Sequence, residues 1–315
     1  MHNKSDAPGS DALRRVFLLR ARCEHGATGV GARSRRSREP AFRDSSCGRR
    51  IAFIMTRNIS SGMRIVSLAP SVTSILLELG AGPELIGVSR WCKDVADVGP
   101  RPTVGDCWKL DIREVMKLRP TLLIGSVPFA AEAVAKILEQ PVAFLAVNPR
   151  SLADIENDVL ALGRLVDRGR AAERLTRRMR GTFDGVARRA RRFGRRSRPR
   201  IYCEAWPNPR ISSPPWVGEL VEIAGGKMVV RAGARVRDAE VARAKPDIII
   251  LAWAAAGDRA KAETALRNAA WQQVPAVKNR RVIVIRDELL NTPGPPLMLG
   301  ADELARVIRE WRQRH

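Results

Sequence analysis

The chain has 315 residues, 45% of them apolar, which is enough to bury one sizeable core and leaves room for two. No apolar run approaches the roughly 20 residues of a membrane-spanning helix, so no transmembrane span is expected. The formal charge of +23 first suggests nucleic acid, but it is concentrated: residues 1–62 carry 13 Lys/Arg against 5 Asp/Glu, residues 164–200 carry 15 Arg against 3 acids, and the remainder is nearly neutral.

In the first segment, the apolar stretch at 16–19 is closed by Arg20 and Arg22. An export signal needs an apolar core of about 7–15 residues. Arg14-Arg15-Val16-Phe17-Leu18 resembles a twin-arginine signal without the apolar segment that should follow it. Residues 26–50 are rich in Ser, Arg and Gly with no helical or strand period, so residues 1–62 read as a disordered extension. Met55 and Met63 each offer an alternative start.

From Met63 onward, short β-branched runs alternate with helical segments, the pattern of α/β units on mostly parallel sheets. A first lobe spans 63–150, with expected strands at 64–68, 85–88, 121–125 and 142–146 and helices at 72–79, 111–118 and 130–140. A second lobe spans 199–315, with strands at 200–204, 247–252 and 281–285 and helices at 216–224, 238–244 and 297–312.

Between them, residues 151–198 form a connector. Its stretch from 152 to about 192 holds no proline, begins acidic, ends Arg-rich, and places Ile155, Val159, Leu162 and Val166 at helical spacing. It reads as one long helix, with Gly181 to Gly185 as the place where a break would fall and Ser151 and Asp154 as cap and first-turn residues. The arginines read as its solvated face, so nucleic acid is the lesser reading.

An internal echo relates the lobes. DIREVMKLRPTLLIG from Asp111 and DAEVARAKPDIIILA from Asp238 both read as helix, basic-Pro corner and buried strand. Proline cannot continue the helix and should force an extended residue before Pro120 and Pro246.

The five cysteines, at 23, 47, 92, 107 and 203, are odd in number and show no CxxC spacing, so no disulfide framework or zinc knuckle is read. The histidines stand at 2, 25 and 315, outside the expected core, which removes the usual metal ligand and the usual general base. No internal metal site, intrinsic cofactor or catalytic residue is expected, and no G-x-S-x-G, P-loop, H-E-x-x-H or G-x-G-x-x-G motif is present.

With the lobes in place, MRIVSLAPSVTSILLELGAGPELIGVSRWC from Met63 resembles the opening strand, turn, helix and second strand of class III periplasmic substrate-binding proteins, the cobalamin and ferric-siderophore group of ABC-transporter binding proteins. VGDCWKLDIREVMKLRPTLLIG, ISSPPWVGELVEIAGG, AKPDIIILA and WQQVPAVKNRRVIVI follow in the family's order across residues 63–312. The resemblance implies two Rossmann-like lobes with mostly parallel sheets joined by one long α-helix, a monomer, and a ligand in the inter-lobe cleft at the carboxyl ends of the strands. It also implies non-catalytic binding of cobalamin or a related corrinoid for ABC-type uptake. A ferric siderophore or haem is the alternative within the fold, and a cytoplasmic interaction or nucleic-acid role for the Arg-rich connector is the alternative outside it.

The ligand-facing residues the resemblance implies are Pro70 and Ser71 after the first strand, Arg90 and Trp91 after the second, and Cys107 and Trp108 before the Asp111 helix. In the second lobe they are Glu204 and Trp206 after the first strand, Trp216 at the start of a helix, and Trp253 at the end of a buried strand. Flat indoles with a few polar groups suit a large, partly apolar ring system. Trp216, Trp271 and Trp311 also read as core packing, Arg90 as a surface ion pair, and Glu204 as an acceptor for ligand amides. The prolines of NTPGPP read as a stiff turn near the cleft rim.

Members that meet an ABC permease usually present a glutamate on each lobe. Alignment through the two corners puts Arg113 and Ala239 there, with Glu114 and Glu240 one residue later, a turn of about 100° on a helix. Glu114 and Glu240 are carried as the partner-docking residues. Family resemblance implies the periplasm, whereas the short apolar stretch at 16–19 implies the cytoplasm.

Overall fold

A computed structural model describes residues 62–106, 108–192, 198–256 and 260–314. The reading of 1–62 as a disordered extension therefore falls, but for Gly62, outside the described residues, as does Cys107. The first lobe runs Ile65–Ser67 (β1), Pro70–Glu78 (α1), Leu85–Ser89 (β2), Thr103–Val104 (β3), Ile112–Lys117 (α2), Leu122–Ser126 (β4), Ala131–Leu138 (α3) and Ala143–Val147 (β5). Its sheet is wholly parallel, in the order β3-β2-β1-β4-β5.

Two helices follow, Leu152–Leu165 (α4) and Gly169–Arg191 (α5). The second lobe runs Arg200–Pro207 (β6), Arg210–Ser212 (β7), Pro215–Ile223 (α6), Lys227–Met228 (β8), Asp238–Ala244 (α7), Ile248–Leu251 (β9), Ala262–Leu266 (α8), Pro275–Lys278 (α9), Val282–Val284 (β10), Glu288–Asn291 (α10) and Leu297–Arg312 (α11). Its sheet is ordered β10-β9-β6-β7, with β8 also on β6; only the β6–β7 hairpin is antiparallel.

Side-chain alternation along the strands explains why both faces of each sheet are covered. Ile65 of β1, Ile201 and Cys203 of β6, and Ile248 and Ile250 of β9 join one core that runs through both lobes and includes Val159, Leu162, Met179 and Phe183 of α4 and α5. The alternate residues Val66 and Leu68, and Tyr202, Ile249 and Leu251, face two separate clusters on the outer sides of the sheets.

The connector corrects the expectation of one helix over 152–192. The chain breaks at Val166–Arg168, where Asp167 takes a left-handed φ of 56°. Arg168 N donates to Gly163 O at 2.7 Å and Asp167 N to Arg164 O at 3.2 Å, the paired bonds that close a helix end around a left-handed residue. The chain folds back, so that Arg180 of α5 pairs with Glu156 of α4 at 2.6 Å. A Cβ on Gly163 would lie 2.3 Å from the Cβ of Ala172, so this close approach requires glycine. The one long helix that joins the lobes is α5, 23 residues and about 34 Å. Its Gly181 and Gly185 lie inside the helix.

Its buried face is Ala172, Leu175, Thr176, Met179, Phe183 and Val186, while Arg178, Arg180 and Arg189 pair with Glu78, Glu156 and Asp302 on α1, α4 and α11.

The echo between the lobes extends to three dimensions. Arg119 and Lys245, the residues before Pro120 and Pro246, have φ of 50° and 42°; they are left-handed, not extended as expected. A left-handed residue ends the helix while its N–H still bonds back, to Met116 O and Ala242 O respectively. An arginine at the start of each lobe's first strand completes the corner: Arg64, just before β1, donates to the carbonyls of Leu118 and Arg119, and Arg200, the first residue of β6, to those of Ala244 and Lys245.

On α4, burial and then the neighbouring Asp154 push the Asp158 carboxyl up to about 6, and its Oδ2 lacks a hydrogen-bond partner. The folded chain thus keeps a proton that the unfolded chain releases near pH 4. Stability from this group is fully present below about pH 4 and falls as pH rises through about 6. Asp158→Asn is expected to raise stability at pH 8 by about 1 kcal/mol, discounted for solvent screening, and to leave it unchanged at pH 4. Urea unfolding at the two pH values checks this.

Candidate functional site

The candidate residues stand at or just past the carboxyl ends of the strands of both lobes, and the segments after β2 and β10 meet. Arg286, just past β10, reaches the carbonyl of Asp94, just past β2, at 3.4 Å across the two lobes. Gly294 lies against Ser74 and Ile75 of α1, so the NTPGPP loop abuts the first lobe.

On the first wall, Asp106 organises the loop after β3. It is buried, and its Oδ1 accepts from the main-chain N–H groups of Trp108 (3.0 Å) and Lys109 (2.9 Å). Its Oδ2 accepts the indole N–H of Trp91 at 2.9 Å and pairs with Arg90 Nε at 3.2 Å. Burial pushes this carboxyl up, but the hydrogen bonds from Lys109, Trp91 and Trp108, with the Arg90 charge, outweigh it and hold its pKa below the usual carboxylate range. Trp91 is half-buried, while Trp108 stands 62% exposed. The Arg90 guanidinium lies 5.6 Å from the Trp91 ring centroid and stays half-exposed, so its pair with Asp106 lies at the surface, in keeping with the reading of Arg90 as a surface ion pair. Pro70 and Ser71 open α1 directly after β1.

On the second wall, Glu204 of β6 is wholly buried. Its Oε1 accepts the indole N–H of Trp253 at 2.9 Å; its Oε2 accepts the Tyr202 hydroxyl at 2.7 Å and Arg210 Nη1 at 2.5 Å. The reading of Glu204 as an acceptor for ligand amides is thereby corrected: three internal donors occupy both oxygens, because a buried carboxylate must be satisfied by the protein itself. Burial, followed by the Glu204 charge, pushes the Tyr202 hydroxyl upward.

Trp253 is nearly buried and lines a cavity of about 410 Å³ with Ile285, Arg286, Asp287 and Glu288. Burial, then the charge of Glu288, pushes the Asp287 carboxyl up to about 6. Trp206, 41% exposed on the β6–β7 hairpin, gives its N–H to Asn208 O at 2.8 Å. Trp216 is not a rim residue: it is buried, with its N–H on Leu290 O at 2.9 Å, inside the core shared by the lobes. Sequence reasoning missed Asp106 as an organiser, Arg286 and Asp287. Asp106 carried a signal, standing two residues before Trp108 in the place of an Asx turn.

Glu114 on α2 is exposed and bonds Lys117 at 2.6 Å. Glu240 on α7 accepts from the main-chain N–H of Arg237 at 2.7 Å, which with the Arg237 side chain holds its carboxyl below the usual range. Among the described residues, no group of three or more His, Cys, Asp or Glu is placed to hold a metal ion, and no helix is long and apolar enough to cross a membrane. The described cysteines, Cys92 and Cys203, are free and buried, and burial pushes the Cys203 thiol up to about 12.

A family model described as periplasmic binding protein matches residues 65–289. An uncharacterised ABC transporter substrate-binding lipoprotein, YvrC, of Bacillus subtilis is 24% identical over 255 residues, 78% of this chain and 79% of its own. The vitamin B12-binding protein of Vibrio parahaemolyticus is 22% identical over 243 residues, 74% of this chain and 84% of its own. Among solved structures, the periplasmic haem-binding protein RhuT of Roseiflexus sp. RS-1, in apo form, superposes with a TM-score of 0.69 at 21% identity, covering 79% of this chain and 99% of that one.

Proposed function

Because the chain belongs to the periplasmic binding protein family, we propose that it holds cobalamin or a related corrinoid in the cleft between its lobes, without transforming it, and passes it to an ABC-type permease. The observation that carries this reading is a device repeated on both walls: a strand-end indole whose N–H is fixed by a buried carboxylate, Trp91 by Asp106 and Trp253 by Glu204. Two indoles held in fixed planes suit a broad ring system that enters between them, and the exposed Trp108 and Trp206 extend the apolar rim.

Within the family fold, haem is the competing ligand. Haem iron is commonly held by a histidine, cysteine, methionine or tyrosine side chain. The chain's one tyrosine gives its hydroxyl to Glu204, which takes that residue away from a haem iron. Glu114 and Glu240, one on each lobe, are the proposed contacts for the permease.

Calorimetric titration of the full chain with cyanocobalamin tests this, with haemin and a ferric siderophore alongside. Micromolar or tighter cobalamin binding, weakened about tenfold or more by Trp91→Ala, is expected. Binding of haemin or the siderophore in preference would keep the cleft and replace the ligand; heat with none of the three would remove the proposal.

A further inference from the structure

The Glu204 cluster does not end at the cleft wall. Arg210 of β7 donates from Nη1 to Glu204 and from Nε to Asp238 Oδ1 at 2.7 Å, so one guanidinium bridges a buried carboxylate and the first residue of α7. Its charge sits 4.3 Å from the centroid of the fully buried Trp271, whose own N–H bonds the main-chain carbonyl of Asp238 at 3.1 Å. Tyr202 meets the same Trp271 ring edge-on at 6.1 Å. Side chain and main chain of Asp238 are thus both tied to the cluster that fixes Trp253. Two residues on, Glu240 stands partly exposed on the same helix.

We infer that Glu204, Arg210 and Asp238 are positioning residues that join the Trp253 wall of the cleft to the start of α7, so that filling the cleft stiffens the surface that carries Glu240. The inference rests on the reading that the cleft takes a ligand and α7 a partner. It supplies what a delivery protein needs, a difference between empty and loaded forms at the surface a permease would touch. Arg210 suits the role because its fork reaches two acceptors in different directions, which the single ammonium of lysine cannot reproduce.

The test compares the full chain with Arg210→Lys and Asp238→Asn, and with Arg243→Gln, an exposed residue of the same helix outside the relay, as the control. In the ligand-free state, the indole N–H resonance of Trp253 should shift in Arg210→Lys and Asp238→Asn while that of Trp91 stays in place; neither should shift in the control. With cyanocobalamin, amide exchange at residues 240–244 should slow about fivefold or more in the native chain and lose that response in the two relay variants. An unmoved Trp253 resonance in Arg210→Lys, which removes the fork spanning both acceptors, or α7 exchange indifferent to bound cobalamin, overturns the inference. If cyanocobalamin does not bind, the ligand reading fails by itself, and the ligand-free resonance alone decides for or against the relay.

Discussion

Glu204→Ala is expected to lower the unfolding free energy by about 3–5 kcal/mol, because it leaves the Arg210 guanidinium, itself only 18% exposed, without its buried partner. The Tyr202 hydroxyl and the Trp253 indole N–H lose their acceptors in the same step, and unsatisfied buried donors add to the loss. Glu204→Gln keeps an acceptor oxygen and should cost less. The double variant Glu204→Leu, Arg210→Met removes both charges and should recover part of the loss, since a buried ion pair is worth little against well-packed apolar groups. Urea unfolding followed by fluorescence measures all three. A loss below about 1 kcal/mol in Glu204→Ala would mean that water reaches this cluster in the folded chain, contrary to the burial on which its role depends.

The sheets were legible because their strands are short apolar runs bounded by turns and the helices between them follow a 3.6-residue period. The strands expected at 64–68, 121–125, 200–204 and 247–252 correspond to β1, β4, β6 and β9. What escaped were β3 and β8, too short at two residues each to show a period, and β7, whose Arg-Ile-Ser holds a single apolar residue. The break in the connector was placed at glycines because glycine is the usual left-handed residue. The actual break uses Asp167, which adopts that conformation at modest cost and is invisible in a search for Gly or Pro.

The site was legible to the same degree. Strand-end tryptophans could be picked out by position, but a chain pattern does not say which polar neighbour turns inward. Glu204 follows Cys203 on a strand whose two faces are both buried, so a charged residue there had to be paired inside; its partner Arg210 sits across a hairpin that the sequence did not announce. The rotation of Trp216 into the shared core likewise depends on Leu290, 74 residues away.

Asp106→Ala should weaken cobalamin binding about tenfold and lower stability by about 2 kcal/mol, since four groups lose one acceptor: the Trp91 indole, the main-chain N–H groups of Trp108 and Lys109, and Arg90. Asp106→Asn separates the two effects. Its remaining oxygen can still accept from Trp108 and Lys109 and hold the turn, while its amide nitrogen offers a donor, not an acceptor, to the Trp91 indole. An asparagine variant that keeps its stability but loses as much affinity as alanine would show that the plane of Trp91 is what the ligand reads. One that keeps its affinity would move Trp91 off the ligand and leave the first wall to Trp108. The native carboxyl, its pKa held below the usual range, contributes stability that is present above about pH 4 and is lost as pH falls through its lowered value. Cobalamin binding that depends on Asp106 should therefore persist at pH 5 and fail only in stronger acid, as titrations at descending pH would record.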